Sequence, residues 1–347
     1  MVCRRSPARA AVRALAAIVP LRWNYLDSGS GGDGRAALPI RFPAKTSVRR
    51  ESPYDRSVFA TLLGALPRPT AATDDVDRLV ETAIRAQEEA GLEPVTDGRL
   101  RHPASDSIPT PEAAVEAWRS AQSMTERAVK QALPGPRSLG GEARGARGQQ
   151  KAVQRLAEVV AALAEAGCPL VEIEEAAVDR LADERERARF RETHLQLLAG
   201  QPGTHLSLSI VGGSPDPDAW ATVLELPYAS LAVDLISGPD SWNLVTRWAG
   251  DRGVIAGVES AGRFDEPKEV LLWAAHYAAS TGGRGLDRVG LGSAGSWANL
   301  TWDTAVRKMR LLGEAARLAT MPPGDELARS LDPRGVSSRR AALGHDV

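Results

Sequence analysis

A regular alternation of two patterns constrains this chain more than any other feature. Short runs rich in β-formers recur at residues 58–63, 93–96, 128–133, 170–173, 206–211, 231–236, 254–258 and 289–291. Between them lie stretches whose apolar residues return every three or four positions, the period of one helix face. From 74 to 90 that face carries Val76, Leu79, Val80, Ala83 and Ile84; from 151 to 166 it carries Val153, Leu156, Val160, Leu163 and Ala164. Further helices are expected at 179–198, 218–224, 241–248, 267–279 and 304–318. Gly91, Gly167, Gly200 and Gly250 stand where helices should stop, because glycine takes the left-handed cap conformation without a Cβ clash.

Strands that alternate with helices pair in parallel, since each crossover needs a helix-length connection. Eight such units predict an α/β fold of the (β/α)8 TIM-barrel type, one domain over residues 51–320. A doubly wound dinucleotide-binding sheet is the competitor, but no G-x-G-x-x-G turn follows the first run. Residues 1–50 read as a disordered extension, with Arg4, Arg5, Arg9 and Arg13 ahead of a short apolar run and a Gly/Ser patch after it. Residues 321–347 read as a loose tail rich in Pro, Gly and Arg.

Composition excludes several classes of function. A formal net charge of -1 lacks the basic footprint of a nucleic-acid binder. No run of eighteen apolar residues is present, so no membrane partner is expected. Cys3 and Cys168 are too few and too far apart for a disulfide framework or a zinc ribbon, which points to a reducing cytoplasm.

In such a barrel chemistry belongs where strands end and loops begin. Those positions offer Gly64 and Arg68 after the first run, then Asp97, Arg99, Arg101 and His102 after the second. Glu174 and Glu175 end the fourth run, Ser209 the fifth and Asp234 the sixth. Glu259 and Arg263 follow the seventh, and Ser293 the eighth. Carboxylates supply acid–base groups and arginines hold anions in a planar fork. Asp234, Glu259 and Glu174 are the catalytic candidates. Gly64, Arg68, Asp97, Arg99, Arg101, Glu175, Ser209, Arg263 and Ser293 are the candidates for holding a small-molecule substrate. Loop-facing rims are polar in any barrel, so one charge there carries little weight; convergence from several strands carries more. Trp297 and Trp302 are able to stack a flat ligand, though tryptophans at that spacing are more often packing residues.

Several segments together resemble the catalytic domain of cobalamin-independent methionine synthase. They are Leu63-Gly64-Ala65-Leu66-Pro67-Arg68-Pro69, then 86–98 ending in Pro94-Val95-Thr96-Asp97-Gly98, then Leu133-Pro134-Gly135-Pro136, 165–176, the 292–296 loop and 305–309. They occur in family order over about residues 57–320. The resemblance implies a barrel shared with uroporphyrinogen decarboxylases. It also implies methyl transfer from a folate-like donor to a thiol in methionine biosynthesis, on a zinc ion held by a histidine, two cysteines and a glutamate.

The ligand positions are mostly changed. Two alignments exist at the fifth run: one keeps His205, the other keeps the following glycine and sets Ser209 and Val211 in place of histidine and cysteine. The second is preferred, because a ligand sits at the carboxyl end of a strand and His205 opens this one. The family glutamate then matches Asp234, and the last cysteine matches Ala294. Asp234 and His205 are the remaining metal candidates, and no resident cofactor is expected. Loop-one serine is replaced by Ala65, the family glutamate that meets an amino group by Arg99, and the aspartate of the fourth run by Glu174. The sequence therefore predicts a methyltransferase-like barrel without ordinary zinc chemistry. The alternatives are a metal-free lyase or decarboxylase on an anionic substrate, and a non-catalytic binding protein.

Overall fold

The computed structural model describes residues 57–70, 74–101, 107–139, 145–176, 178, 181, 183–199 and 204–322. The expected extension 1–50, most of the expected tail, Cys3, His102, Gly200 and His345 lie outside the described residues. Seven strands form one parallel sheet: β1 (Phe59–Thr61), β2 (Lys130–Pro134), β3 (Leu170–Glu175), β4 (His205–Ile210), β5 (Ser230–Asp234), β6 (Gly253–Glu259) and β7 (Val289–Ser293). Their order across the sheet is β1-β7-β6-β5-β4-β3-β2.

Successive side chains on a strand point to opposite faces, and the two faces here differ in chemistry. On β4, Leu206, Leu208 and Ile210 join a large apolar core together with helix residues such as Leu156, Leu197 and Leu271. The opposite face of the same strand carries His205, Ser207 and Ser209. A small apolar cluster of Leu63, Ala232 and Ile255, with Phe59 against it, fills the inner face on the β1, β5 and β6 side. The inner face of β3 and β4 is polar instead, and Lys130 Nζ of β2 meets Glu172 Oε2 there at 2.7 Å with both side chains buried.

The second expected strand differs from the expectation. Residues 93–96 form no strand: Val95 makes one parallel bridge to Val129. Glu93 N donates to Ala60 O at 2.9 Å and Val95 N to Ala128 O at 2.9 Å, so this segment links β1 to the approach to β2. Pro94 between them has no N–H to give, which stops a ladder from propagating. The other seven runs are strands, each within two residues of its expected ends.

Eight helices are described: α1 (Val76–Glu89), α2 (Pro111–Ser123), α3 (Gly145–Glu165), α4 (Glu184–Leu198), α5 (Trp220–Leu224), α6 (Trp242–Arg247), α7 (Lys268–Ser280) and α8 (Trp302–Thr320). Sequence periodicity missed α2. Its start signal was present: Thr110 accepts from Ala113 N as N-cap and Pro111 opens the first turn. Gly91 and Gly167 do follow helix ends with φ of 82° and 91°. Gly250 is a correction. It takes no left-handed conformation, and its lack of a side chain is needed because a Cβ would stand 1.8 Å from Gly282 O. No described helix is long and apolar enough to cross a membrane.

Candidate functional site

The carboxyl ends of β3, β4 and β5 bring together Glu174, Ser209 and Asp234, with Arg99 reaching in from the 97–101 turn. Asp97 Oδ1 accepts from Arg99 N at 2.9 Å, and Arg99 takes φ of 56°, a left-handed conformation uncommon outside glycine. That turn aims the guanidinium at Glu174: Nη1 lies 3.1 Å from Oε1 and Nη2 3.0 Å from Oε2. Arg99 and Glu174 are both more than nine-tenths buried. Burial pushes the Glu174 carboxyl up, and the neighbouring Arg99 charge opposes that shift.

Asp234 ends β5 and is held by its own backbone surroundings. Its Oδ1 accepts from Ile236 N at 3.0 Å and Ser237 N at 2.8 Å, and its Oδ2 accepts from Gly212 N at 3.3 Å. The loops after β4 and β7 close on this carboxylate. A Cβ placed on Gly295 would stand 3.7 Å from Asp234 Oδ2 and 3.8 Å from Val211 Cβ. Ser209 lies on the same face, fully buried, and its Oγ has no hydrogen-bond partner among the described residues.

Glu259 ends β6, but its carboxylate turns into the 260–266 loop. Lys308 of α8 donates to Oε1, and Glu266 N lies 3.4 Å from both oxygens. Lys308 also donates to Phe264 O at 2.6 Å, so one cation ties α8, β6 and the loop together. Neither side chain of the pair reaches solvent. Burial pushes the Glu259 carboxyl up to about 7 against the pull of Lys308. The anchored loop presents Phe264 outward, 79% exposed, with the Arg263 guanidinium 5.9 Å from its ring centre.

The remaining candidates serve other contacts. Glu175 faces α4 rather than the strand ends, because it is one residue out of phase with Glu174. It accepts from Arg137 N, Ser138 N and Ser138 Oγ, and its Oε1 lies 3.1 Å from His194 Nε2. His194 Nδ1 in turn meets Tyr228 Oη at 2.7 Å, and the whole chain is buried. Ser293 Oγ accepts from Leu63 N at 2.7 Å and donates to Leu63 O at 3.0 Å, fastening β7 to the end of β1. Arg68 is exposed and pairs with Asp74 at 3.0 Å. Arg101 pairs with Asp77 of α1 at 2.5 Å and donates to Ser120 Oγ of α2 at 2.8 Å. Gly64, with φ of 76°, lets the Ser296 backbone pass; a Cβ there would lie 2.7 Å from Ser296 Cα. Trp297 is buried in the core, and Trp302, partly buried, packs against it.

Strand-end position alone does not mark Lys308, Lys130 or Glu172, which are buried and paired here. Lys308 carries a signal all the same: a charge on the apolar stripe of Ala305, Met309 and Leu312 needs a buried partner.

Zinc binding calls for three or four nitrogen, sulfur or oxygen ligands. The side chains at the aligned positions are Ser209, Val211, Asp234 and Ala294: one carboxylate, already accepting backbone hydrogen bonds, with no thiol and no imidazole. His205 opens β4 at the opposite end, its Nε2 2.8 Å from Ser230 Oγ, and burial lowers its pKa to about 4. Among the described residues no group of three or more His, Cys, Asp or Glu side chains is placed to hold a metal ion. The described residues at these positions do not fit zinc.

The same arrangement of strands and helices occurs in proteins of known structure. A B12-independent methionine synthase from Shewanella sp. W3-18-1, solved with selenomethionine, superimposes with a TM-score of 0.64 at 13% identity, over 76% of this chain and 97% of its own. A putative vitamin-B12 independent methionine synthase from Listeria monocytogenes gives 0.57 at 13% identity, over 75% of this chain and 97% of its own. A methyltransferase from Methanosarcina mazei gives 0.55 at 13% identity, over 76% and 94%. The likeness is one of fold. No family model matches the chain, and no curated protein matches it by sequence.

Proposed function

We propose that the sheet closes into an eight-fold barrel through residues 93–95, and that the chain is a methyltransferase-like enzyme working on a small molecule without resident zinc. The fold shared with two methionine synthase-like proteins and a methyltransferase supports the class. The observation that carries the site is Asp234. Backbone amides fix its carboxylate, and the loops after β4 and β7 converge on Oδ2. A carboxylate so oriented is able to accept the proton of a thiol or amine acceptor while the methyl carbon passes from the donor nitrogen to that acceptor; the nitrogen keeps the electron pair of the broken C–N bond and takes a proton from solvent. Arg99 is the cation that meets Glu174 near the end of β3; an anionic or folate-like ligand would exchange its carboxylate for Glu174 on that guanidinium.

The test is methyl transfer from a methyl-folate to a panel of thiols, read by mass spectrometry, for wild-type protein and Asp234→Ala. Product from the wild type that disappears in the variant supports the assignment. Equal product from both removes Asp234 from the site, and near-stoichiometric zinc in purified protein would show ligands other than those named here.

A non-catalytic binding protein is the second reading, favoured by the closed Arg99–Glu174 pair and the enclosure of Glu259. It predicts saturable binding of a folate or carboxylate without turnover. The lyase alternative gains no support: it calls for several guanidinium groups aimed at one anion, while Arg68 and Arg101 are engaged elsewhere.

A further inference from the structure

Buried polar side-chain atoms nearly always have a partner, so a cluster of exceptions on one patch is informative. β3 and β4 run in parallel register with Glu172 opposite Ser207 and Glu174 opposite Ser209. These four residues make a two-by-two grid on the inner face of the sheet, out of phase with Val171, Ile173, Leu206 and Leu208, which pack on the helix side. Glu172, Ser207 and Ser209 are 0% exposed and Glu174 is 8% exposed. Even so, Glu172 Oε1, Ser207 Oγ and Ser209 Oγ have no hydrogen-bond partner among the described residues. Glu174 Oε2 touches Arg99 Nη2 at 3.0 Å but is not hydrogen-bonded to it.

The flanking strands explain why no donor arrives. Ala132 and Pro134 of β2 lie opposite Glu172 and Glu174. Ser230 and Ala232 of β5 lie opposite Ser207 and Ser209. Alanine and proline side chains have no donor, and the Ser230 hydroxyl is taken by His205 Nε2 at 2.8 Å. The grid is also neutral. Lys130 Nζ binds Glu172 Oε2 at 2.7 Å and Arg99 Nη1 binds Glu174 Oε1 at 3.1 Å, so each carboxylate has its cation and still offers lone pairs. A metal ion would meet two fixed positive charges there. A neutral donor would meet only acceptors and hydroxyls that turn to suit it.

We propose that this grid is a built site for neutral hydrogen-bond donors, filled by ordered water, that extends the polar floor of the strand ends into the interior. A buried water makes about three hydrogen bonds on average, and Glu172 Oε1, Ser207 Oγ and Ser209 Oγ are three open partners on the grid. The site stands on burial, register and partnering alone, and does not depend on the proposed activity.

Its test uses the full chain, with Ser207→Ala and Ser209→Ala each measured by thermal denaturation and by oxygen-17 relaxation dispersion, which counts long-lived internal waters. The expected result is a Tm lower by about 2 °C or more in each variant, as a lost hydrogen bond of ordinary strength implies, with fewer long-lived waters. A raised Tm with an unchanged water count would mean that the hydroxyls are dry and merely unsatisfied, and would overturn the proposal. A saturable Tm increase with magnesium or potassium chloride that vanishes in Ser209→Ala would overturn it in favour of a cation site.

Discussion

Replacing Lys308 by methionine should destabilise the protein by an amount that grows with pH. Methionine keeps the length of the stem and removes only the charge and its donors. The ammonium is fully buried, bound to Glu259 Oε1 and, at 2.6 Å, to Phe264 O. Deleting one partner of a buried, ionised pair costs about 3–5 kcal/mol, because the other charge is left without compensation. Glu259 does not stay ionised at every pH, however. Its folded pKa of about 7 lies above the value of about 4.3 for an unfolded glutamate. A raised folded pKa contributes stability that is fully present below the unfolded value and is lost as pH rises through about 7. Well below 7 the carboxyl is neutral, and removing Lys308 then removes a buried cation that has lost its counter-charge. The loss in Lys308→Met should therefore be small near pH 6 and approach the full ~3–5 kcal/mol near pH 8.5. Urea unfolding at both values measures it, and Glu259→Gln in the same background should cancel most of the high-pH loss. An equal cost at pH 6 and pH 8.5 would mean that Glu259 does not change charge in that interval and would rule this account out.

Three further outcomes follow from particular contacts. Ser293→Ala strips the partner from buried Leu63 N and Leu63 O together and should cost about 2–4 kcal/mol in chemical denaturation; a loss under 1 kcal/mol would show that the β1–β7 seam does not need it. Gly313→Ala forces a Cβ to 1.7 Å from Ala90 O where α8 crosses the end of α1, so α8 must shift, and a Tm drop should accompany a loss of about 1–3 kcal/mol. His205→Asn should flatten the loss of stability between pH 6.5 and pH 4. A histidine with its folded pKa lowered to about 4 contributes stability above 6.5 that disappears as pH falls through 4, worth about 2–3 kcal/mol, and an unchanged acid limb in the variant would rule that out.

The layering and much of the sheet are legible in the local sequence. Seven of the eight β-rich runs are strands, because the switch between a period of two and a period of 3.6 is local and each run is bounded by its own helix. The run at 93–96 failed for an equally local reason, the missing N–H of Pro94, and α2 was missed although Thr110 and Pro111 announced its start. The sequence also placed Glu174, Ser209 and Asp234 at strand ends, where they are found. Tertiary structure alone decided what those side chains do. Glu174 and Glu175 are neighbours in the chain, yet one meets Arg99 on the inner face and the other meets His194 on the helix side. A one-residue change of phase settles that, and which partner waits on each face depends on residues 75 and 19 positions away. Lys308 reaches Glu259 across 49 positions, and Ser293 reaches Leu63 across 230. Periodicity reports which face a residue occupies. It carries no information about the distant partner that will neutralise a charge or consume a hydroxyl there, and that partner separates a side chain open to a substrate from one spent on holding the fold together.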